Sequence, residues 1–447
     1  MHCAEPLKSA RVAEAAVEVG ERGVIIREST WQRLWEKSAI GCPVKDGLSL
    51  SDEEVIFCHE QRQFEWPTSD WLTNAVAEDE ALLHRGEILV ALRAPGNLVV
   101  LRQHAKDIPE KHALSNDSWA LRWHREKHPS RDEPEAEIRW ARSDEKICWN
   151  EMQVWSEEVK SRGRIAEFLV IDEEFSVVTY RLESASPGGN SKNPRNLTKD
   201  QINNVKSNLK IAKKVPSGGW LSPQAKVGNN GGRVGEINGE FDAETASESS
   251  DGTDTEGAEK NTGENQNYWP IPEIGIKLHD GRLLNYEEIQ AVCNLTGIEA
   301  VLGPNQKRDD AKENSDNSEP DGSPKKPQAD SNQMAPLADE EYSIQILQDL
   351  FSRGCSVRSG FKYGTKWRVY AGAVGDGHAP WLILPLHAAP MDWAGACLAA
   401  RLAAGVNKTW CVALTTETNE TEPQKSIEYL AIRRPPSDSR WSNPHRR

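Results

Sequence analysis

A chain of 447 residues is too long for one ordinary domain, so two to four compact units are expected. Its 54 lysines and arginines stand against 69 aspartates and glutamates, a net charge of −15 that does not advertise a general nucleic-acid binder, although such a total hides any local basic patch. The 8 cysteines form no Cys-x-x-Cys pair, which argues against a zinc site or disulfide framework and for reduced thiols in the cytoplasm. No charged-then-apolar leader follows Met1, and no apolar run is long enough to span a bilayer. The 16 tryptophans are read as core anchors.

Residues 1–105 read as a small α/β module. Residues 23–27 form a predicted strand, and a helix with Trp31, Leu34 and Trp35 follows. Ser51 and Glu54 have the spacing of a capping box, and residues 86–92 and 97–101 read as paired strands. Residues 106–184 turn to strands. Trp119, Leu121 and Trp123 share one face, and Ile138 and Trp140 begin a second strand. A helix over 150–162 and strands over 164–172 and 177–182 complete this part.

Residues 185–269 read as a polar, acidic linker with a helical island at 198–214. Its stretch 241–265 has almost no apolar residue to offset the entropy of ordering, and disorder is expected there. Residues 270–304 are a short folded piece with a strand at 274–278, an Asp280-Gly281 turn and a helix capped by Asn285 with Glu288. It reads as a truncated copy of the N-terminal module. Residues 305–335 are a second disordered linker, and 437–447 a basic tail.

Residues 336–436 are the best-patterned part. Leu347, Leu350 and Phe351 share a helix face that Gly354 ends. Strands are predicted at 355–357, 367–370 and 381–384, a helix from its N-cap Asp392 to Gly405, and strands at 409–414 and 427–432. Tyr370 therefore ends a strand, His378 follows a Gly-rich loop, and Lys408 lies in the turn leaving a helix. Strand ends and loops are where a scaffold usually carries chemistry.

The ordered set Arg353-Gly354, the turn 359–364, Val369-Tyr370, His378-Ala379-Pro380-Trp381, Arg401-Leu402-Ala403 and Val406-Asn407-Lys408-Thr409 resembles the catalytic domain of the tRNA-splicing endonucleases. The resemblance implies a tRNA-intron endonuclease that needs no metal or other cofactor and leaves 2′,3′-cyclic phosphate and 5′-hydroxyl ends. It makes Tyr370, His378 and Lys408 the catalytic residues and Arg401 a base-stacking residue. Tyr429 falls near the second stacking position, with Arg433 and Arg434 close by. The loop from Tyr370 to His378 is shorter than is usual in the family.

The run 48–57 resembles the N-terminal subdomain of the archaeal enzymes, and 106–184 repeats the strand, helix, strand, strand order of the C-terminal part. In that comparison Arg164 falls near Lys408 and Trp140 near Tyr370, with no histidine following, as in the silent repeat of the two-repeat homodimeric archaeal type. The expected fold is thus mixed α/β (α+β), in tandem pseudo-repeats separated by disordered acidic linkers. The implied partners are precursor tRNA of the bulge–helix–bulge kind and a second copy of the chain, with strand 427–432 at the dimer interface and no membrane or DNA. A non-catalytic structural subunit of a splicing complex and a general binder of structured RNA are the competing readings.

The residue types suit the chemistry. RNA carries its own nucleophile, the 2′-hydroxyl. A base must take its proton, an acid must protonate the leaving 5′-oxygen, and a cation must hold the charge on phosphorus. Tyrosine, with a free pKa of about 10, needs a neighbouring ammonium to become a phenolate base. Histidine, near about 6.5, suits the acid, and lysine is a compact charge for a phosphate oxygen. Each residue also has an ordinary structural role: strand-end packing for Tyr370, a loop position for His378, and helix-end capping for Lys408. Tyr363 and His387 are rivals to Tyr370 and His378. The resemblance makes Tyr363 an aromatic packing position in the family's Lys-aromatic-Gly turn, and His387 lies beyond the next strand.

Overall fold

A computed structural model describes residues 17–20, 23–26, 31–45, 47–106, 112–216, 218–223, 268–279, 281–299, 336–418 and 424–435. They fall into two compact units, residues 1–191 with 353–447, and residues 192–352. Most of both expected linkers, the Asp280 position and the basic tail 437–447 lie outside the described residues.

The first unit opens with a hairpin of β1 (Val17–Gly20) and β2 (Gly23–Ile26), then α1 (Trp31–Ser38), then a hairpin of β3 (Cys42–Val44) and β4 (Gly47–Leu50). The strands pair antiparallel in the order β1-β2-β4-β3. Ser51 then caps α2 (Asp52–Arg62). Its hydroxyl accepts from the Glu54 N–H, while the Glu54 carboxylate accepts from the Ser51 N–H. The other carboxylate oxygen accepts from the Gly41 N–H at 2.8 Å, which ties the helix start to the turn entering β3.

After α3 (Trp71–Glu78) comes α4 (Leu82–Arg93), so residues 86–92 are helical and not the strand expected of them. The run Gly-Glu-Ile-Leu-Val-Ala-Leu carries too little polar punctuation to declare a period, and a buried strand and a buried helix look alike in it. Gly86 marks a close approach between helices rather than a strand start: a Cβ there would stand 3.2 Å from Cγ2 of Ile56 on α2.

Next are β5 (Leu98–Leu101), α5 (Arg102–Ala105), β6 (Ala120–Trp123), β7 (Ala136–Arg142), α6 (Trp149–Ser161), β8 (Ile165–Ile171) and β9 (Val177–Ala185). Leu98, Val99, Val100 and Leu101 of β5, Ile138 of β7, and Leu169 and Ile171 of β8 share one apolar core with β2, β4, α2 and α4.

The second unit contains α7 (Lys199–Ile211), β10 (Lys213–Lys214), β11 (Trp220–Pro223), β12 (Ile276–Leu278), β13 (Gly281–Leu284), α8 (Tyr286–Thr296) and α9 (Pro336–Ser352). Residues 192–216 and 218–223 are therefore folded rather than linker. Few apolar residues suffice because Val205 and Leu209, four apart on α7, are buried, and Thr198 and Gln201 form a capping box. The strand order is β10-β11-β13-β12, all antiparallel, which repeats β1-β2-β4-β3. Left-handed Gly275, Gly281, the Asn285–Glu288 capping box and left-handed Gly297 keep the spacing of Gly41, Gly47, the Ser51–Glu54 box and Gln63.

The chain then supplies β14 (Ser356–Ser359), β15 (Trp367–Tyr370), β16 (Trp381–Pro385), α10 (Trp393–Gly405), β17 (Thr409–Thr418) and β18 (Gln424–Arg433) to the first unit. With β5–β9 they form one ten-stranded sheet, ordered β14-β15-β16-β17-β18-β9-β8-β7-β6-β5. Each half is antiparallel, antiparallel, parallel, antiparallel, and the parallel step is bridged by a helix, α10 or α6. The registers match position for position. Ser356–Tyr370, Val369–Trp381, Trp381–Thr409 and Trp410–Ile432 answer to Leu98–Trp123, Arg122–Ala136, Ala136–Ile165 and Ala166–Leu182. Matched residues Ile432 and Leu182 then face each other where β18 meets β9, so the halves are related by a local two-fold.

This pairing corrects one expectation. The edge of strand 427–432, expected to meet a second chain, is taken by β9 of the same chain. The seam is also closed by aromatic packing. Trp393 of α10 stacks on Phe168 of β8 with centroids 3.8 Å apart, while Trp149 of α6 meets Trp410 of β17 edge-on at 5.8 Å. Buried aromatics of this size remove about 150–250 Å² each from water, roughly 4–6 kcal/mol at 25 cal/mol/Å². Trp393→Ala is expected to lower stability by about 3–5 kcal/mol. Urea unfolding followed by tryptophan fluorescence checks this, with both halves of the sheet melting in one transition.

Candidate active site

Three neighbouring strands align Val369 of β15, Trp381 of β16 and Thr409 of β17 in one row. Tyr370 follows the first of these, His378 stands three residues before the second, and Lys408 immediately precedes the third. Because β15 runs antiparallel to β16 while β16 and β17 run parallel, all three lie off the same end of the sheet. The backbone is stitched there as well: Thr409 N–H donates to Pro380 O at 2.8 Å.

The local sequence explains each placement. Asp392 caps α10 by accepting from Gly395 N–H at 2.9 Å. The helix ends at a turn in which Asn407 takes φ +54°, and Lys408 N–H donates back to Ala403 O at 2.9 Å. The Lys408 ammonium then donates to Ala379 O at 2.7 Å, beside His378. Tyr370 is 9 % exposed, His378 is exposed, and Lys408 is half-buried.

Tyr363, in the short helical turn after Gly360, packs beside the site. The Lys408 ammonium lies 5.6 Å from its ring centroid and the Arg368 guanidinium 5.9 Å. Sequence reading assigns it to packing but misses that the packing partner is the candidate lysine; the left-handed Gly364 that closes its turn is the only local signal. His387 lies after β16, at the end of that strand away from Trp381.

Arg401 is exposed on α10, and with Arg434 it acts electrostatically on the Cys397 thiol, which burial pushes up to about 11. The expectation for Tyr429 does not hold. The side chain is 1 % exposed in the middle of β18, flanked by Ala413 and Ala185 and covered by the Arg353 guanidinium 5.4 Å from its centroid. A ring enclosed in this way has no free face for a base.

The matched end of the other half is chemically different. Register places Trp123, and not Trp140, where β15 has Tyr370; Trp140 lies deeper, in β7. Arg164 precedes β8 as Lys408 precedes β17, after a left-handed Gly163 in place of Asn407. Its guanidinium is paired with Glu137 at 3.0 Å and also donates to Ala113 O. Glu137 is 0 % exposed and accepts further from Ser115 N–H at 2.9 Å and Ser118 Oγ–H at 2.7 Å. Residues 113–118 belong to the long connection between β5 and β6, where the C-terminal half has only the turn 360–366. His112 packs edge-on against Trp123 with centroids 5.3 Å apart.

Among the described residues, no group of three or more His, Cys, Asp or Glu side chains gathers as a metal site, and no helix is long and apolar enough to cross a membrane. Among the described residues no cysteine is in a disulfide.

The residues that build this sheet end lie in a stretch that matches a known family: residues 341–429 match the tRNA intron endonuclease catalytic C-terminal domain. A tRNA-splicing endonuclease of Thermoplasma volcanium is 41 % identical over 64 residues, which are 14 % of this chain and 21 % of that protein. The chain thus spans about a fifth of the length of the curated relative it matches. In this C-terminal part the chain is therefore similar to the tRNA-splicing endonucleases.

The two matched cations are expected to behave oppositely. Glu137→Ala removes the buried carboxylate that pairs with Arg164 and Arg162, leaving them, among the described carboxylates, only Glu133 and Glu158, and should cost about 3–5 kcal/mol, as loss of a buried partner does. Lys408→Ala gives up one hydrogen bond to a carbonyl and should cost about 1 kcal/mol or less. Denaturant unfolding of the two variants measures the difference.

Proposed function

We propose that the protein is an endonuclease that cuts precursor tRNA at its intron–exon junctions by metal-independent transesterification. The observation that carries this reading is the convergence of Tyr370, His378 and Lys408 off one sheet end, in a domain of this family. In the proposed step the Tyr370 phenolate takes the proton of the ribose 2′-hydroxyl. The 2′-oxygen then bonds to phosphorus, the bond from phosphorus to the 5′-oxygen breaks, and the His378 imidazolium protonates that oxygen. The products are a 2′,3′-cyclic phosphate and a 5′-hydroxyl, and proton exchange with water resets both side chains. An ammonium has three donors. Ala379 O takes one of those of Lys408, which leaves two for the phosphate oxygens. Arg401, exposed and accompanied by Arg434, stacks on an unpaired base.

The matching registers support a duplicated chain, each copy a small four-stranded subdomain followed by a five-stranded one. We read the copy ending at Ala185 as silent, because its matched cation is bound to Glu137 and its matched aromatic is a buried Trp123. One live site per chain makes one cut, so two chains supply the two cuts of intron removal. Their contact lies elsewhere than on the edge of β18.

Purified protein is expected to cut an intron-containing precursor tRNA in EDTA, and failure to cut with or without added magnesium would count against the reading. His378→Ala should slow single-turnover cleavage by about 10²–10⁴. A 5′-thio leaving group, which needs little protonation, should restore much of that loss in His378→Ala and little in Tyr370→Phe or Lys408→Ala. Equal rescue in all three variants would remove the acid assignment. Arg164→Ala, if folded, should keep its single-turnover rate.

A further inference from the structure

The loop from Ala371 to Pro380 carries His378 and contains Gly372, Gly375 and Gly377, so its free backbone would lose much entropy on ordering. Its far end is fixed by Lys408 Nζ on Ala379 O and by Thr409 N–H on Pro380 O. Its near end is fixed by a segment from the other half of the chain. After β9, residues 189–191 lie across the start of β14 and the end of β15. Gly189 N–H donates to Arg353 O at 3.0 Å, Ser191 N–H to Gly354 O at 2.9 Å, and Asn190 N–H to Ala371 O at 2.8 Å. The hydroxyls of Ser191 and Ser356 are 2.8 Å apart. A Cβ on Gly189 would collide with the carbonyl oxygens of both Ala371 and Gly354, so only glycine lets the three strands of backbone meet.

We propose that residues 189–191 are a positioning strap for the cleavage site. By holding the Ala371 carbonyl, the strap sets the end of β15 that presents Tyr370 and the root of the loop that presents His378. The silent half thus contributes to the live site through backbone hydrogen bonds, without touching substrate. This proposal rests on the reading of Tyr370 and His378 as base and acid.

The test uses the full chain with Gly189→Ala, the milder Gly372→Ala, whose Cβ would press on Asn190 Oδ1 at 3.1 Å, and Gly188→Ala as control, where the nearest atom is 3.9 Å away. Single-turnover rate at saturating precursor tRNA, dissociation constant, and hydrogen exchange of residues 371–378 are measured for each. Gly189→Ala should lose about 10- to 100-fold in rate, the scale of a small misplacement of reacting groups, with unchanged affinity and faster loop exchange. Gly372→Ala should follow in the same direction, and Gly188→Ala should match wild type. Added to Tyr370→Phe, Gly189→Ala should cost less than it does alone, because the part of its effect that passes through Tyr370 is already lost and only the part through His378 remains. Wild-type exchange and rate in both Gly189→Ala and Gly372→Ala would overturn the proposal, as would an equal loss of RNA affinity, which would make the strap an RNA contact. Wild-type protein that cuts no RNA would overturn the functional reading instead, and the exchange data would still decide whether the strap orders the loop.

Discussion

The antiparallel pairing of β18 with β9 is the constraint on which the first unit depends. Each five-stranded half ends in a strand whose outer N–H and C=O groups need partners, and an open edge of that kind invites pairing with another chain. Here each half satisfies the other. The register places Ile432 against Leu182, its own counterpart, and the helices α10 and α6 then pack across the seam through Trp393 on Phe168 and Trp149 on Trp410. Backbone links between the turns before the two helices, such as Ile147 N–H to Met391 O at 2.9 Å, reinforce the same symmetry.

Given that frame, the two sheet ends share a backbone and differ in chemistry. A left-handed residue, a cation and a parallel strand follow one another at both Asn407-Lys408-Thr409 and Gly163-Arg164-Ile165. In one half the cation meets, among the described residues, a backbone carbonyl and an aromatic face, so its charge stays available. In the other it meets a buried carboxylate, and the long connection between β5 and β6 adds donors to the same group. Function belongs to the site and not to the fold that carries it.

Net charge illustrates the same distinction between global and local. The chain carries −15 in total, yet Arg401 and Arg434 act together on the Cys397 thiol, and Lys408 reaches the Ala379 carbonyl in the same half. The thiols there are quiet: burial pushes Cys397 up to about 11 and Cys411 to about 12. Thiolates are therefore scarce near neutrality, and these cysteines serve as small packing residues.

The sequence by itself determined what is local. The caps at Ser51, Asn285 and Asp392, the helix face of Leu347, Leu350 and Phe351, the strand end at Tyr370 and the turn at Lys408 are written in short-range spacing and are found where that spacing put them. Tertiary structure decided what needs a partner distant in the chain. Residues 86–92 are a helix because α2 packs against Gly86, a contact that no periodicity announces. Trp123 takes the place matched to Tyr370 because strand register, and not residue type, sets equivalence. Tyr429 is enclosed because β9 pairs beside it and Arg353 covers it, so an aromatic residue that looked available for stacking was already part of the core.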